Sequence, residues 1–304
     1  MREPSFSSAA KAELCRVTLN RDCCVAAEAY GALLFANSFS AREIRFITAS
    51  LDFARRLPRL WRRAFGFEFD ETRESGAGGR SVLLLRDAEK IRAVFDRFGY
   101  DPESLLSHHI NLGVLEEEDC RSAFFRGAFL AGGSVTDPEK RCRLELVTDH
   151  RNVCGEARAL LLEMGLSPKD TVRTGHFVLY FKQSEAIEDF FTALGAPGAA
   201  MGIMSAKITK EMRSAVNRKV NCDSANADKI VSAAQRQLDR IRTLDRTLGL
   251  ANLPPELRDT ALLRIANPEA SLSDLAMLSD PPLSKSAINH RLRRLMALEA
   301  ENGE

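Results

Sequence analysis

Phe124-Phe125-Arg126-Gly127-Ala128-Phe129-Leu130-Ala131-Gly132-Gly133-Ser134-Val135 reads as the end of an apolar helix with small residues every few positions. Small residues let two helix backbones approach closely. A weaker copy lies 96 residues earlier, in Ala29-Tyr30-Gly31-Ala32-Leu33-Leu34-Phe35-Ala36-Asn37-Ser38-Phe39. Gly31 matches Gly127, and Ser38 matches Ser134. A segment that recurs at a fixed offset raises the question of a repeat before any other question of fold.

The offset persists downstream. Arg80-Ser81-Val82-Leu83-Leu84-Leu85 matches His176-Phe177-Val178-Leu179-Tyr180-Phe181, and Ile91, Phe95 and Gly99 match Ile187, Phe191 and Gly195. Between them, Ile44, Phe46 and Thr48 match Leu144, Leu146 and Thr148 at an offset of 100. The four extra residues fall at Asp137-Pro138-Glu139-Lys140, a turn sequence. Agreement at three separate places points to a duplicated unit with one longer hairpin loop, against the alternative of chance similarity between amphipathic segments.

Each copy reads as helix, short hairpin, helix, hairpin, helix. The first copy spans 21–99 and the second 116–198, after an N-terminal segment 1–20 and joined by a linker 100–115. Residues 9–19 suggest a short helix with a strand-like end. Asp22 is placed to cap a helix running to Asn37. Arg42 to Thr48 alternates polar and apolar, as a half-buried strand does. Pro58 should kink or restart the helix from Leu51 to Gly66. A hairpin should turn at Ser75-Gly76-Ala77-Gly78-Gly79. Arg55, Arg59, Arg62 and Arg63 share one face of the Pro58 helix: a solvated surface by default, a secondary DNA or protein surface otherwise. Glu116-Glu117-Glu118-Asp119 opens the second copy, where acids suit the positive end of a helix dipole better than they suggest a metal cluster.

Composition narrows the function classes little. The chain has 304 residues, is 45% hydrophobic and 28% charged, and carries a net charge of +1, so any nucleic-acid partner must be recognised through local charge. No run of 18 apolar residues suggests a membrane span, and the first residues lack the apolar core of a secretory signal. Seven cysteines with no CxxC pair argue against a disulfide framework or a zinc site and for a reducing cytoplasm.

Beyond Gly198 the pattern is helical. Residues 199–252 read as a basic helical linker, with ten basic and five acidic side chains between 200 and 249 and an expected interruption near Asn221-Cys222-Asp223. Leu253-Pro254-Pro255 opens a last domain, 253–304. Its helices should run from Pro255 to Ala266, from a cap at Ser271 or Ser273 through Ser279, and from Ser284 to about Ala300. Asn267-Pro268 and Asp280-Pro281-Pro282 separate them. Helix, short helix, tight turn and helix make a helix-turn-helix. On the third helix Ile288, Leu292 and Leu295 form an apolar stripe. Ser286, Asn289, His290 and Arg293 are read on the opposite side with Arg294 beside them, and Lys285 and Arg291 flank the stripe. Between Ser284 and Met296 stand four Lys or Arg and no acid, although the stretch from Pro254 onward has six basic and eight acidic residues. Positive charge gathered on one helix is the footprint of a recognition helix rather than of a plain solvated one.

Val216-Asn217-Arg218-Lys219-Val220-Asn221-Cys222-Asp223-Ser224-Ala225-Asn226 closely resembles the WhiA family, DNA-binding regulators of Gram-positive bacteria. So do Leu253-Pro254, Asn267-Pro268, Ser271-Leu272 and the helix from Ser284 through Leu295. The duplicated unit resembles the LAGLIDADG homing-endonuclease fold that this family carries. The resemblance implies an α+β fold: a duplicated LAGLIDADG-like N-terminal domain, a helical linker and an all-α helix-turn-helix C-terminal domain. It also implies that the two small-residue helices pack on a pseudo-two-fold axis beside a saddle-shaped sheet. In active endonucleases an acid ends each such helix and holds the catalytic metal. Those positions here are Ala36 and Gly132, which offer a hard cation no oxygen side chain, and Asn37 and Ser134 beside them are neutral.

The expectation is therefore a non-enzymatic, sequence-specific regulator of double-stranded DNA without cofactor or metal. It is placed in the cytoplasm on the nucleoid and acts in sporulation or in cell division and chromosome segregation. Lys285, Ser286, Asn289, His290, Arg291, Arg293 and Arg294 are the DNA-binding candidates. Asn217, Arg218, Asn221 and Asn226 either cap the helix break or contact DNA. Another regulator or RNA polymerase is the further partner, through the N-terminal domain. The alternatives are an interaction scaffold with incidental DNA affinity and a residual metal-dependent nuclease.

Overall fold

The computed structural model describes residues 4–74, 79–103 and 107–298. The chain forms two compact units, one through Glu211 and one from Met212.

In the first unit α1 (Phe6–Leu14) is capped by Ser5, whose hydroxyl accepts from the Ser8 amide at 3.2 Å. Residues 16–19 that follow are irregular, so the strand-like end expected there is absent. Then come α2 (Asp22–Leu34), β1 (Ser38–Phe39), β2 (Ile44–Thr48), α3 (Leu51–Phe65), β3 (Glu71–Arg73), β4 (Ser81–Leu85) and α4 (Ala88–Arg97). The same succession returns as α5 (Glu118–Gly132), β5 (Gly133–Val135), β6 (Leu144–Thr148), α6 (Arg151–Glu163), β7 (Lys169–Arg173), β8 (His176–Phe181) and α7 (Ser184–Leu194). The fold is α+β and duplicated. Each copy builds an antiparallel four-stranded sheet, in the orders β1-β2-β4-β3 and β5-β6-β8-β7. Both sequence offsets reappear in the pairing: Ile44 faces Leu85, and Leu144 faces Phe181. The turn expected at 75–78 lies outside the described residues.

Alternation decides which side of each sheet is buried. Ile44, Phe46 and Thr48 turn inward, as do Leu144, Leu146 and Thr148. Between the sheets and their helices, α2 and α5 lie side by side, buried from Cys24 to Leu34 and from Ala123 to Leu130, Glu28 and Arg126 included. A Cβ on Gly31 would overlap the Phe124 carbonyl, and one on Gly127 would overlap that of Glu28. The two backbones therefore meet at both glycines. Glu28, wholly buried, takes Arg56 at 2.6 Å and Arg126 at 2.7 Å on its two oxygens.

Two local expectations give way here. Asp22 does not cap α2; it is the first helical residue, and its carboxylate pairs with Arg63 at 2.8 Å. Nor does Pro58 start a new helix, the second of the two outcomes expected of it: α3 is one helix from Leu51 to Phe65. An internal proline costs about 3 kcal/mol. Burial of Phe53, Leu57, Leu60 and Trp61 offsets it, and Arg56 ties the helix to Glu28 and to the carbonyls of Cys15 and Val17.

The long helix α8 (Pro197–Thr247) has no interruption at Asn221-Cys222-Asp223. No glycine or proline stands between Gly202 and Gly249, so weak helix formers there are carried by their neighbours. Its start adds Ala199, Ala200 and Ile203 to the first unit's core, and residues 208–232 are exposed throughout. In the second unit, Ile241 and Leu244 from the end of α8 join α9 (Pro255–Ala266), α10 (Leu272–Leu278) and α11 (Lys285–Ala297) in a separate core.

Candidate nucleic-acid interface

The three short helices are fixed by their caps. Pro255 begins α9, where a missing N–H costs nothing. At its end the Asn267 amide donates to the Leu263 carbonyl at 3.1 Å. Arg264, only 2% exposed, donates to the carbonyls of Ala270 at 2.6 Å and Asn267 at 3.4 Å, filling the turn before α10. Ser271, not Ser273, caps α10. Its hydroxyl accepts from the Asp274 amide at 3.3 Å while the Asp274 carboxylate accepts from the Ser271 amide at 3.0 Å. Ser279 then shapes the tight turn, donating to the Ala276 carbonyl at 2.8 Å and accepting from the Leu283 amide at 2.9 Å. Ser284 caps α11 by accepting from the Ala287 amide at 3.1 Å.

Ile288, Leu292 and Leu295 are each 1% exposed and pack on Leu257, Ala261, Leu275 and Ala276. That packing sets which side of α11 faces out. Ser286, His290 and Arg293 are exposed on the side away from the stripe. Arg294 is exposed too, but its guanidinium is held by Glu256 of α9 at 2.5 Å. Arg291 is half-buried at one flank of the stripe. Asn289 is not on the outer side. It is half-buried at the other flank, where with Lys285 it lines a cleft of about 440 Å³ that also includes Lys229, Gln237 and Ser273. At 100° per residue Asn289 stands a quarter-turn from Ile288, which is the edge of the buried stripe. The outward face is left with a hydroxyl, an imidazole and a guanidinium free to meet a polyanion.

Asn217, Arg218, Asn221 and Asn226 all lie on the exposed middle of α8. With no helix break, they cap nothing. The Asn226 amide lies 3.7 Å from Cys222 Sγ four residues back. On α3, Arg55, Arg59, Arg62 and Arg63 are exposed together; Arg62 pairs with Glu68 and Arg63 with Asp22. Arg55 and Arg59 line a cleft of about 590 Å³ with Arg16, Arg56 and Arg63. The buried Glu28–Arg56–Arg126 cluster was not singled out from sequence. Its signal is one acid and one arginine inside otherwise apolar helices.

The helix ends that carry metal-binding acids in active endonucleases differ between the copies. α5 ends at Gly132, whereas α2 stops at Leu34, so Ala36 lies two residues beyond it. A Cβ on Gly132 would stand 2.5 Å from the Val147 carbonyl oxygen and 2.9 Å from that of Phe35. Asn37 is engaged as an acceptor for the Ile47 amide at 2.6 Å. Ser134 pairs across the sheet with Glu145, whose carboxylate lies 2.7 Å from both Arg143 and Arg173. Among the described residues, the only convergence of three or more His, Cys, Asp or Glu ligand atoms is at Cys23, Cys24 and Cys120, the opposite ends of these helices.

Comparison with known proteins agrees with this architecture. A family model described as the WhiA C-terminal HTH domain matches residues 216–299, and one described as the WhiA LAGLIDADG-like domain matches 121–213. The chain is similar to a protein named probable cell division protein WhiA from Ruminiclostridium cellulolyticum, 36% identical over 299 residues and covering 96% of each chain. A protein of the same name from Heliobacterium modesticaldum is 37% identical, over 97% of this chain and 95% of its own. The crystal structure of full-length DUF199/WhiA from Thermatoga maritima is 25% identical with a TM-score of 0.59, covering 96% of this chain and 97% of that one. The chain belongs to the WhiA family.

Proposed function

We propose that this member of the WhiA family is a non-enzymatic regulator that recognises a specific double-stranded DNA sequence. Helix α11 lies in the major groove, and the chain acts on transcription from the nucleoid. One observation carries the reading: α11, which contains no acid, is clamped by its apolar stripe and turns Ser286, His290 and Arg293 outward, with Arg294 beside them paired to Glu256 of α9. A rigid helix that presents donors and positive charge on one side suits base edges and phosphates. The name shared by its relatives supports a role in cell division and chromosome segregation, with sporulation control the related possibility. The exposed arginines of α3 and of the middle of α8 give the remaining chain surfaces for extra phosphate contacts or for another regulator or RNA polymerase. A nuclease reading is disfavoured by Ala36 and Gly132, which supply no ligand oxygen.

The test is to map bound sites across the genome, then titrate the purified full chain against a recovered duplex and a scrambled one of equal length. Sequence-specific regulators favour their site by about 10³-fold or more at physiological salt. Equal binding to both duplexes would leave an interaction scaffold with incidental DNA affinity as the better account.

A further inference from the structure

Cys24 and Cys120 are equivalent residues of the duplication, each in the first turn of its core helix. Their sulfurs lie 4.0 Å apart. Cys23 joins them, so that three Sγ atoms lie within 4.8 Å of one another. Cys24 and Cys120 are buried and Cys23 is exposed, which puts one edge of the cluster at the surface. Thiolates bound to one zinc-class ion at about 2.3 Å stand roughly 3.8 Å apart around a tetrahedron. Small rotations about the side-chain bonds close that geometry from the observed one.

Charge around the cluster favours thiolates, and burial opposes them at Cys24 and Cys120. Two helix N-termini converge on the cluster, and each presents the positive end of its dipole. Arg21 stands beside it, linked at 3.6 Å to Glu117 and to Asp119. Burial holds the Cys24 thiol up and pushes Cys120 up to about 12. Cys23 is drawn below the ordinary thiol value: burial acts to raise it, but hydrogen bonds from Cys120 and Cys24 and the charge of Arg21 outweigh that.

We propose that Cys23, Cys24 and Cys120 bind one thiophilic divalent ion of the zinc class through three thiolates, with water in the fourth position. Binding releases three thiol protons to solvent and leaves a complex of charge −1, which Arg21 and the two helix N-termini face. Three convergent sulfurs favour an ion over a disulfide, which uses two. The ion ties the two copies of the repeat together at the helix ends remote from Ala36 and Gly132. The ligands come from different copies, so no CxxC spacing announces them.

The experiment titrates Co²⁺ into the full chain after reduction and chelator treatment, under anaerobic conditions. One equivalent should produce a near-ultraviolet thiolate-to-cobalt charge-transfer band that Zn²⁺ abolishes. Cys24→Ser and Cys120→Ser, each leaving two thiolates, should lower it, and Cys222→Ser, on the exposed part of α8, should keep it in full. Cys23→Ser, at an exposed position and therefore folded, should lower the band by roughly one third, with two thiolates in place of three. Zn²⁺ should raise the melting temperature of the wild type more than that of Cys23→Ser. No band in the reduced wild type, or a band of full intensity in Cys23→Ser or Cys120→Ser, overturns the proposal. So does a chain that takes up no metal after reduction of a Cys24–Cys120 disulfide.

Discussion

Gly127 can carry no side chain, because its α-hydrogen side faces the Glu28 carbonyl across the α2–α5 contact. Gly127→Leu should lower stability by at least about 1–3 kcal/mol through overpacking, read as a fall in the urea or thermal midpoint. Gly155, within α6, has open space where a Cβ would go and no left-handed backbone. Gly155→Ala should therefore stabilise by roughly 0.5–1 kcal/mol. Equal midpoints for the two variants would show that the glycines do not differ in packing. The small-residue motif made Gly127 legible in the sequence. Glu28 was not legible, since nothing local says that a lone acid in an apolar helix will find two arginines from elsewhere. On α11 the residues differ in another way. Arg293 is exposed and forms no ion pair among the described residues, while Arg294 must leave Glu256 to reach a phosphate. Arg293→Ala should weaken specific and random duplex alike and reduce the salt slope by about one contact. Asn289→Ala should reduce the preference for the specific site, by about 1–3 kcal/mol if its amide reaches an adenine edge from the flank. An Asn289→Ala chain that binds both duplexes as the wild type does would confine base reading to Ser286 and His290.

Helix α3 and helix α8 show how elements depart from local rules. Pro58 marks a liability that buried Leu57 and Trp61 and the anchored Arg56 outweigh. Asn221 and Asp223 mark a weak spot in α8 that no glycine or proline turns into a break. Sequence pattern carries the liability but not the distant packing that decides it. The contact of β1 with the loop before α5 shows the same limit. His108 stacks on Phe39 at 4.3 Å, shares a hydrogen bond with the Phe39 carbonyl at 2.9 Å and lies 4.2 Å from the ring of His150, the residue that precedes α6. Burial first, then His108, holds His150 down at about 4, with Asp149 opposing in part. Burial likewise lowers His108. Both are neutral in the fold at a pH where the unfolded chain takes up protons near 6.5. The unfolded state then binds more protons, so stability is fully present above about pH 6.5 and falls as pH drops toward 4. His150→Asn should recover on the order of 1–2 kcal/mol of the loss between pH 7 and pH 5, measured by urea unfolding. The same loss in wild type and variant would mean that other groups titrate in that window.

Across the whole molecule, the duplication was legible because its two offsets survive at three separate places and set the strand pairing of both sheets. The helix-turn-helix was legible because Pro254-Pro255, Asn267-Pro268 and Pro281-Pro282 punctuate it. Sites assembled from both copies, such as Glu28 with Arg126 or Cys24 with Cys120, were hidden, since their members are 98 and 96 residues apart. The same juxtaposition bears on catalysis. An active LAGLIDADG site needs an acid at each of two adjacent helix ends, so that both carboxylates share the metal ions. Here one copy has Ala36 two residues beyond its helix, and the other has Gly132, pressed against the Val147 and Phe35 carbonyls. Adding a carboxylate by Gly132→Asp would force its Cβ into backbone oxygens that have no room to move without the sheet. The nearby Glu145 is already held between Arg143 and Arg173. The purified chain with Mg²⁺ or Mn²⁺ should therefore leave supercoiled plasmid uncut over hours. Ala36→Asp combined with Gly132→Asp should not restore cutting, and should lower the thermal midpoint instead. Metal-dependent nicking by the wild type that fades when Ala36 or Gly132 is changed would place a working metal centre at these helix ends and overturn the non-catalytic reading.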